Sequence, residues 1–346
     1  MPHSLINVII PTSNRPKFLN RLLGYLLMAR LKSKIYVADG SDPDYKIINQ
    51  QIIKKRSKNL NIEYKSYPPE INSNTRLCMV LENIPTKYVV VCADDDFIVP
   101  DSVMECVNFL ESNLDYSLAH GRCAQLKFSQ PDPEKDPITQ CIPYPTNHLP
   151  EPEAAQRLRK HFVNYAPTFY SVHRLEVLQR SLNLQDENTD GHRFGELLAS
   201  GVSVLQGKVH CLDRLSLVRQ THSSNNSQFV SSWGYLALRP DFYNKYSRFK
   251  NTLAIELYQN SHLSIDEALP KIEEAFLAFF SRAGLHMDAQ RFHQEVISRD
   301  DDDAFISNIP SYPSADRNEL QTISVLIGQH FSEADGEWEK SREEPE

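Results

Sequence analysis

The stretch Lys87-Tyr-Val-Val-Val-Cys-Ala-Asp94-Asp95-Asp96-Phe97 decides how the chain is read. Tyr88 to Ala93 form a short, unbroken, Val-rich apolar run, the pattern of a strand buried on both faces of a mainly parallel sheet. Three carboxylates follow at once. They therefore stand at the carboxyl edge of that sheet, where open α/β folds bind their ligands. Adjacent acids repel one another, and a hard divalent cation, Mg2+ or Mn2+, is a partner whose chemistry suits oxygen donors of this kind. The competing reading is a solvated acidic turn leading into the helix that begins near Asp101.

Upstream, Leu5 to Ile10 reads as a first buried strand stopped by Pro11, and Phe18, Leu19, Leu22, Leu23, Leu26 and Leu27 recur at helical spacing over residues 16–30. Lys34 to Ala38 is a second strand ending in Asp39-Gly40-Ser41-Asp42-Pro43, a turn-forming loop. A helix through Ile47, Ile48, Ile52 and Ile53 leads to a third strand near Ile62–Ser66. Strands alternating with helices open a doubly wound, nucleotide-binding type of α/β fold.

Downstream, Pro100 opens a helix, Tyr116–Ala119 reads as a strand, and residues 131–152 carry seven prolines. That density predicts a surface excursion, not a central strand or regular helix. A helix near Glu153–Val163, a strand over Ala166–His173 and a helix through Leu175–Leu182 follow. Phe194, Leu197 and Leu198 mark a short helix stopped at Gly201, then strands at Val202–Leu205 and Lys208–Leu212. Beyond Leu236 the strand pattern gives way to helices, one opened by a Ser264/Glu267 capping box. The expected organisation is a catalytic domain over 1–235, a helical region over 236–334 and a charged, disordered tail over 335–346.

The balance of 37 Lys and Arg against 45 Asp and Glu gives a net charge of −8, which argues against a nucleic-acid binder and against electrostatic docking on an anionic membrane. The six cysteines include no Cys-x-x-Cys pair, so a reducing compartment is expected. No apolar run reaches the ~18–20 residues of a membrane span, and the N-terminus lacks the layout of a signal peptide. The sequence is thus expected to be cytoplasmic.

Three segments in order carry a resemblance: Val8-Ile-Ile-Pro-Thr-Ser-Asn-Arg15-Pro, Ala38-Asp-Gly-Ser41 and Ala93-Asp-Asp-Asp96. Together they resemble a GT-A glycosyltransferase, and are most similar to the family 2-like bacterial enzymes that use nucleotide-activated sugars. The resemblance covers about residues 5–100 and extends more weakly to His222. It implies a Rossmann-like, doubly wound mixed sheet with a C-terminal helical extension. It also implies metal-dependent sugar transfer from a nucleotide-sugar, with a UDP-sugar favoured, to a hydroxyl of a glycan or glycolipid, with inversion. Pro11, Thr12 and Arg15 match the loop over the nucleotide, and Asp39 the acid that bonds the base. Asn74 and Arg76 resemble a polar pair facing the donor. Asp94 and Asp96 match an Asp-x-Asp motif, Asp96 being the closer metal ligand and Asp95 lying between them at the donor. Glu196 or Asp190 would be the general base. His222 resembles a late histidine at the metal or diphosphate, and Arg219 would support the same charge. Peripheral membrane contact and a homodimer through the C-terminal helices stay open. The Gln-x-x-Arg-Trp motif of processive synthases is absent, and a lone Glu196 stands where a Glu-Asp pair is usual.

Each residue has a plainer role beside this one. Asp39 would cap the turn at Gly40-Ser41, Asn74 would cap a helix, and Glu196 would be an early-helix acid favoured by the dipole. Arg15 would be a surface residue at a helix start, and His222 would simply be solvated. Two other functions compete with transfer. A sugar nucleotidylyltransferase would carry a glycine-rich first loop to cradle phosphates, and Pro11 to Lys17 contains no glycine. A non-catalytic nucleotide- or carbohydrate-binding module would have little reason to keep three adjacent acids together.

Overall fold

The sheet grows outward from β1 (Ile6–Thr12), which pairs in parallel with β2 (Lys34–Asp39) on one side and β4 (Tyr88–Val91) on the other. In this computed structural model residues 2–128, 138–185, 193–221 and 233–281 are described, together with 316, 317, 319, 320, 322 and 323. β3 (Ile62–Ser66) continues the parallel order beyond β2. On the far side of β4 come β8 (Val172–Arg174), antiparallel, then the long β6 (Tyr116–Phe128) and β9 (Lys208–Thr221), which run parallel to each other. β5 (Phe97–Ile98) closes this edge against β9, and β7 (Ile138–Tyr144) pairs with the later part of β6. The nine strands thus form one mixed sheet in the order β3-β2-β1-β4-β8-β6-β9-β5, with β7 beside β6.

Alternate residues of the central strands enter different cores, as side-chain alternation in a strand requires. Ile6, Val8, Ile10, Tyr88 and Val90 pack with Leu19, Leu22 and Leu26 of α1 (Pro16–Met28) and Val103 and Val107 of α4 (Pro100–Ser112). On the opposite face Ile9, Val89 and Val91 meet Leu77 and Val80 of α3 (Ser73–Leu81) and Leu178 and Leu182 of α6 (Leu175–Asn183). A third core joins α5 (Ala154–Val163), α7 (Arg193–Leu205), α9 (Phe242–Gln259) and α10 (Ile265–Phe279), with Trp233 of α8 (Trp233–Ala237) between them. The chain then returns to the first core. Leu320 and Ile323 are fully buried in it, and the Asp316 carboxylate accepts from the Leu215 backbone N–H at 2.9 Å and from Arg122. Among the described residues no helix is long and apolar enough to cross a membrane.

The early βαβ units and α2 (Pro43–Arg56) follow the pattern expected from sequence, and the capping box at Ser264 forms. Other expectations need correction. Pro11 does not stop β1, which continues to Thr12 against Asp39; the β4 ladder ends at Ile9, so no partner there needs the missing N–H. The cap of α3 is Asn72, whose side chain accepts from Thr75 N–H, and not Asn74. Gly201 does not end a helix, and Val202–Leu205 is not a strand: α7 runs through both. Gly201 serves close packing, since a Cβ there would lie 3.0 Å from Leu253 and 3.4 Å from Leu158 and Phe162. Within the proline-rich stretch, Ile138–Tyr144 forms β7, a strand that pairs only with β6 and so tolerates Pro143. The Ala166–His173 strand shortens to Val172–Arg174, while the Tyr116–Ala119 strand extends to Phe128. The 335–346 tail lies outside the described residues.

Candidate functional site

The carboxyl ends of β1, β2 and β4 converge, and a web of short bonds fixes the loops that leave them. Asn14, at a φ of 59°, takes the left-handed conformation that Asn tolerates better than most side chains. Its side chain and the Asp42 backbone and carboxylate bond reciprocally at 2.8 Å, and its N–H donates to Ser41 Oγ at 2.8 Å. The first and second loops are thereby stapled to each other.

Beneath the staple lies Asp39, fully buried, whose carboxylate accepts from Ser41 N–H (2.7 Å), Asn49 Nδ2 (2.8 Å) and Tyr64 OH (2.7 Å). Both of its oxygens are engaged within the fold, so it performs the turn-fastening role left open for it. Arg76 likewise reaches across from α3 to donate to the carbonyls of Thr12 (2.8 Å) and Ala38 (3.3 Å). Its guanidinium fills the space where a Cβ on residue 40 would project, which is why Gly40 sits there. Asn74 donates to Gln185 at 2.6 Å. Arg76 thus ties down strand ends, and Asn74 bridges α3 to the end of the segment after α6.

The three acids are not a solvated turn. Asp94, Asp95 and Asp96 retain only 4%, 7% and 2% of their exposure. Thr12 Oγ1 donates to Asp94 Oδ2 at 2.7 Å, and Arg15 bridges Asp94 Oδ1 (3.3 Å) and Asp95 Oδ2 (2.9 Å). Pro11 stands half-buried one residue before Thr12. Pairing of β5 with β9 brings Asp96 beside the end of β9. There Gln220 N–H donates to Asp96 Oδ1 at 3.0 Å, and Arg219 Nε lies 3.5 Å from Asp96 Oδ2.

Among the described residues, three buried carboxylates meet the guanidinium groups of Arg15 and Arg219, with Arg76 within electrostatic reach of Asp94. Burial first, then Asp95, pushes the Asp94 carboxyl up to about 7 against the opposing pull of Arg15 and Thr12. Asp96 is raised for the same reasons, against Arg219 and the Gln220 N–H. The donor set is all oxygen, so it fits a hard divalent cation. Among the described residues no group of three or more acidic, His or Cys side chains is arranged to hold a metal. Two carboxylates are nevertheless a sufficient protein contribution for Mg2+ or Mn2+ when substrate phosphates and water complete the shell.

An aromatic cage surrounds Arg219. Its guanidinium carbon lies 4.7 Å from the Tyr144 ring centre and 5.2 Å from that of Tyr170, and Arg219 donates to Tyr144 OH. Burial works against its charge, but Tyr144, Asp96 and Tyr170 outweigh it and hold the guanidinium firmly protonated. Glu196, exposed in the first turn of α7, accepts from Tyr165 OH at 2.9 Å and is within electrostatic reach of both Arg219 and Tyr144. Direct contacts thus join Thr12, Arg15, the three acids and Arg219, and Glu196 lies within electrostatic reach of Arg219. Asp190 and His222 lie outside the described residues.

Sequence reasoning missed Gln220, Tyr144, Tyr165 and Tyr170. Nothing local singles them out, because the pairing of β6, β7 and β9 is what assembles them.

No family model matches the chain, and no curated protein matches it. Solved structures do. A 1-349 fragment of S. aureus TarS in complex with UDP-GlcNAc is similar over 97% of this chain and 92% of its own, with a TM-score of 0.53 at 15% identity. A longer TarS structure is similar over 80% of this chain with a TM-score of 0.48 at 16% identity, and the chain spans 43% of its length. A mannosyltransferase from Pyrobaculum calidifontis, in complex with GDP-Man and Mn2+, has a TM-score of 0.43 at 14% identity, over 93% of this chain and 84% of its own. The chain has a GT-A-like glycosyltransferase fold.

Proposed function

We propose that this chain is a metal-dependent glycosyltransferase that moves a sugar from a nucleotide-sugar to a hydroxyl of a glycan or glycolipid, with inversion. The observation that carries the reading is the buried Asp94–Asp96 cluster at the end of β4, flanked by Arg15 and Arg219, with Glu196 within electrostatic reach of Arg219. A UDP-sugar is the favoured donor, in keeping with the UDP-GlcNAc complex of the TarS fragment that shares the fold.

Thr12 and Arg15 lie over the donor, and Asp94 and Asp96 would hold a divalent cation, which would supply Lewis-acid charge to a leaving group that otherwise departs poorly. Glu196 takes the proton of the acceptor hydroxyl as its oxygen bonds to the anomeric carbon. The bond from that carbon to the phosphate oxygen breaks on the opposite face, and the nucleoside diphosphate leaves. Arg219, fixed by two tyrosines, meets the charge that develops, without reorganising at the moment of reaction. Tyr165 keeps the Glu196 carboxylate turned toward the cleft.

The test is thermal stability against UDP-, GDP-, CMP- and dTDP-sugars with and without Mn2+, on the native chain and on Asp96→Asn. The expected result is a rise in Tm for one nucleotide class that needs Mn2+ and is lost in the variant. No response to any nucleotide under any condition would overturn the reading and leave a binding module of another kind. A response to a nucleoside triphosphate and sugar phosphate instead would favour a nucleotidylyltransferase.

A further inference from the structure

A second chemical centre lies on the same strands, well away from the acids. In the parallel pairing of β6 and β9, His120 stands opposite Cys211 and Gln125 opposite Arg219. β9 bulges between Leu212 and Leu215, so the distance is set by the five steps of β6 from His120 to Gln125, which at ~3.3 Å each separate the two places by roughly 17 Å. The segment after β7 folds over the first of them, anchored by a bridge between Leu149 and Val209.

His120 is almost fully buried there, and both of its ring nitrogens face backbone carbonyls. Nδ1 is 2.9 Å from Gly121 O and Nε2 is 3.0 Å from Asn147 O. A carbonyl oxygen only accepts, and a neutral imidazole has one N–H to give. Two such contacts are satisfied together only by the doubly protonated ring. A buried imidazolium needs a counter-charge. Its facing ionisable partner across the strand pair is the thiol of Cys211, whose sulfur also lies 3.8 Å from Thr146 Oγ1 and 3.7 Å from Leu212 O.

His161 on α5 is pushed down to about 3 and His173 on β8 to about 4, by burial first and also by His120. His210 on β9 is lowered by burial, His148 and His120. Arg122 on β6 adds positive charge near the sulfur. Burial would raise the Cys211 thiol, but His120, Thr146 and Arg122 outweigh it and leave it lowered. The neighbouring thiols behave oppositely: burial pushes Cys106 up and lifts Cys123 to about 12. Cys211 is also partly exposed, whereas Cys92, Cys106 and Cys141 are buried.

We propose that Cys211 and His120 form a thiolate–imidazolium pair, and that Cys211 is a modification site that takes up small disulfides as a reversible mixed disulfide. The Cys211 thiolate attacks one sulfur of the disulfide, a new S–S bond forms, the old one breaks, and the other half leaves as a thiolate. No outside oxidant is needed, and an added dithiol reverses the step. The proposal is independent of glycosyl transfer.

The probe is 4,4′-dithiodipyridine, whose released thione reports each thiol that reacts, with the modified residue located by peptide mass mapping. One fast equivalent should react at pH 6, at Cys211, and its rate should fall less than tenfold between pH 8.5 and 6. An ordinary thiol near pKa 8.5 would lose on the order of a hundredfold over that range. Cys211→Ser should remove the fast equivalent, and His120→Gln should restore the steep fall with pH. Should His120→Gln fail to fold, the pH profile of the native chain decides alone. Fast labelling at Cys78 or Cys123 with Cys211 unmodified, or a hundredfold fall at Cys211, would overturn the proposal.

Discussion

Glu196 is the residue on which the proposed chemistry turns, because it stands exposed in the first turn of α7 and accepts from the Tyr165 hydroxyl. Glu196→Gln should lower kcat by roughly a hundred- to ten-thousandfold, the span for a lost general base. Donor affinity, read by calorimetry, should stay within a few-fold. Tyr165→Phe should lower kcat less and leave donor KM unchanged, since it loosens the carboxylate without removing it. The acids make a second prediction, about pH. With Asp94 and Asp96 both raised to about 7 in the fold, the native state takes up protons that the unfolded chain, with ordinary carboxyls, does not. Their charge therefore destabilises the cation-free protein above about pH 7, and that cost fades as pH falls toward the unfolded value near 4. A cation needs the deprotonated forms. The rise in Tm produced by Mn2+ should accordingly be larger at pH 8 than at pH 6, as differential scanning fluorimetry would show. An equal shift at both values would contradict it.

At the scale of elements, the sheet illustrates what local pattern does and does not encode. Gly121 lies where the β6 register shifts, and a Cβ there would collide with the Arg214 carbonyl, a backbone atom with little room to yield. Gly121→Ala should cost about 1–3 kcal/mol, read as a lower urea midpoint. The β1–β4 half was legible before the structure because its signals are local: apolar runs, prolines at helix starts and acids directly after a strand. The β6–β9 half was not. The strand expected over Lys208–Leu212 runs on to Thr221, because pairing with β6 continues past Asp213. Gly201 and the residues after it read as a stop and a strand, yet helix packing against Leu253 and Phe162 overrides that preference. The same division applies to the cleft. Asp94–Asp96 stood out by composition and Glu196 through the family resemblance, whereas Tyr144, Tyr165 and Tyr170 acquire meaning only once distant strands and helices meet.

On the scale of the whole molecule, the last described residues complete the first core. Leu320 and Ile323 are fully buried among side chains from β1, α1 and α4, and Tyr25 OH donates to Glu319 at 2.5 Å. Leu320→Ala should therefore destabilise the sheet half by about 2–5 kcal/mol, although it lies far along the chain from every acid of the cleft. Denaturation followed by ligand-induced protection would show the loss, and an unchanged midpoint would refute it.

That return of the chain also has a temporal side. Tyr25 and Glu319 are 294 residues apart. At ~5–20 residues per second, a ribosome needs roughly 15 to 60 seconds to travel between them. For that interval the apolar side of α1 that joins Leu320 and Ile323 in the first core lacks them, so biogenesis of this protein should depend on a holding chaperone more than its final stability would indicate.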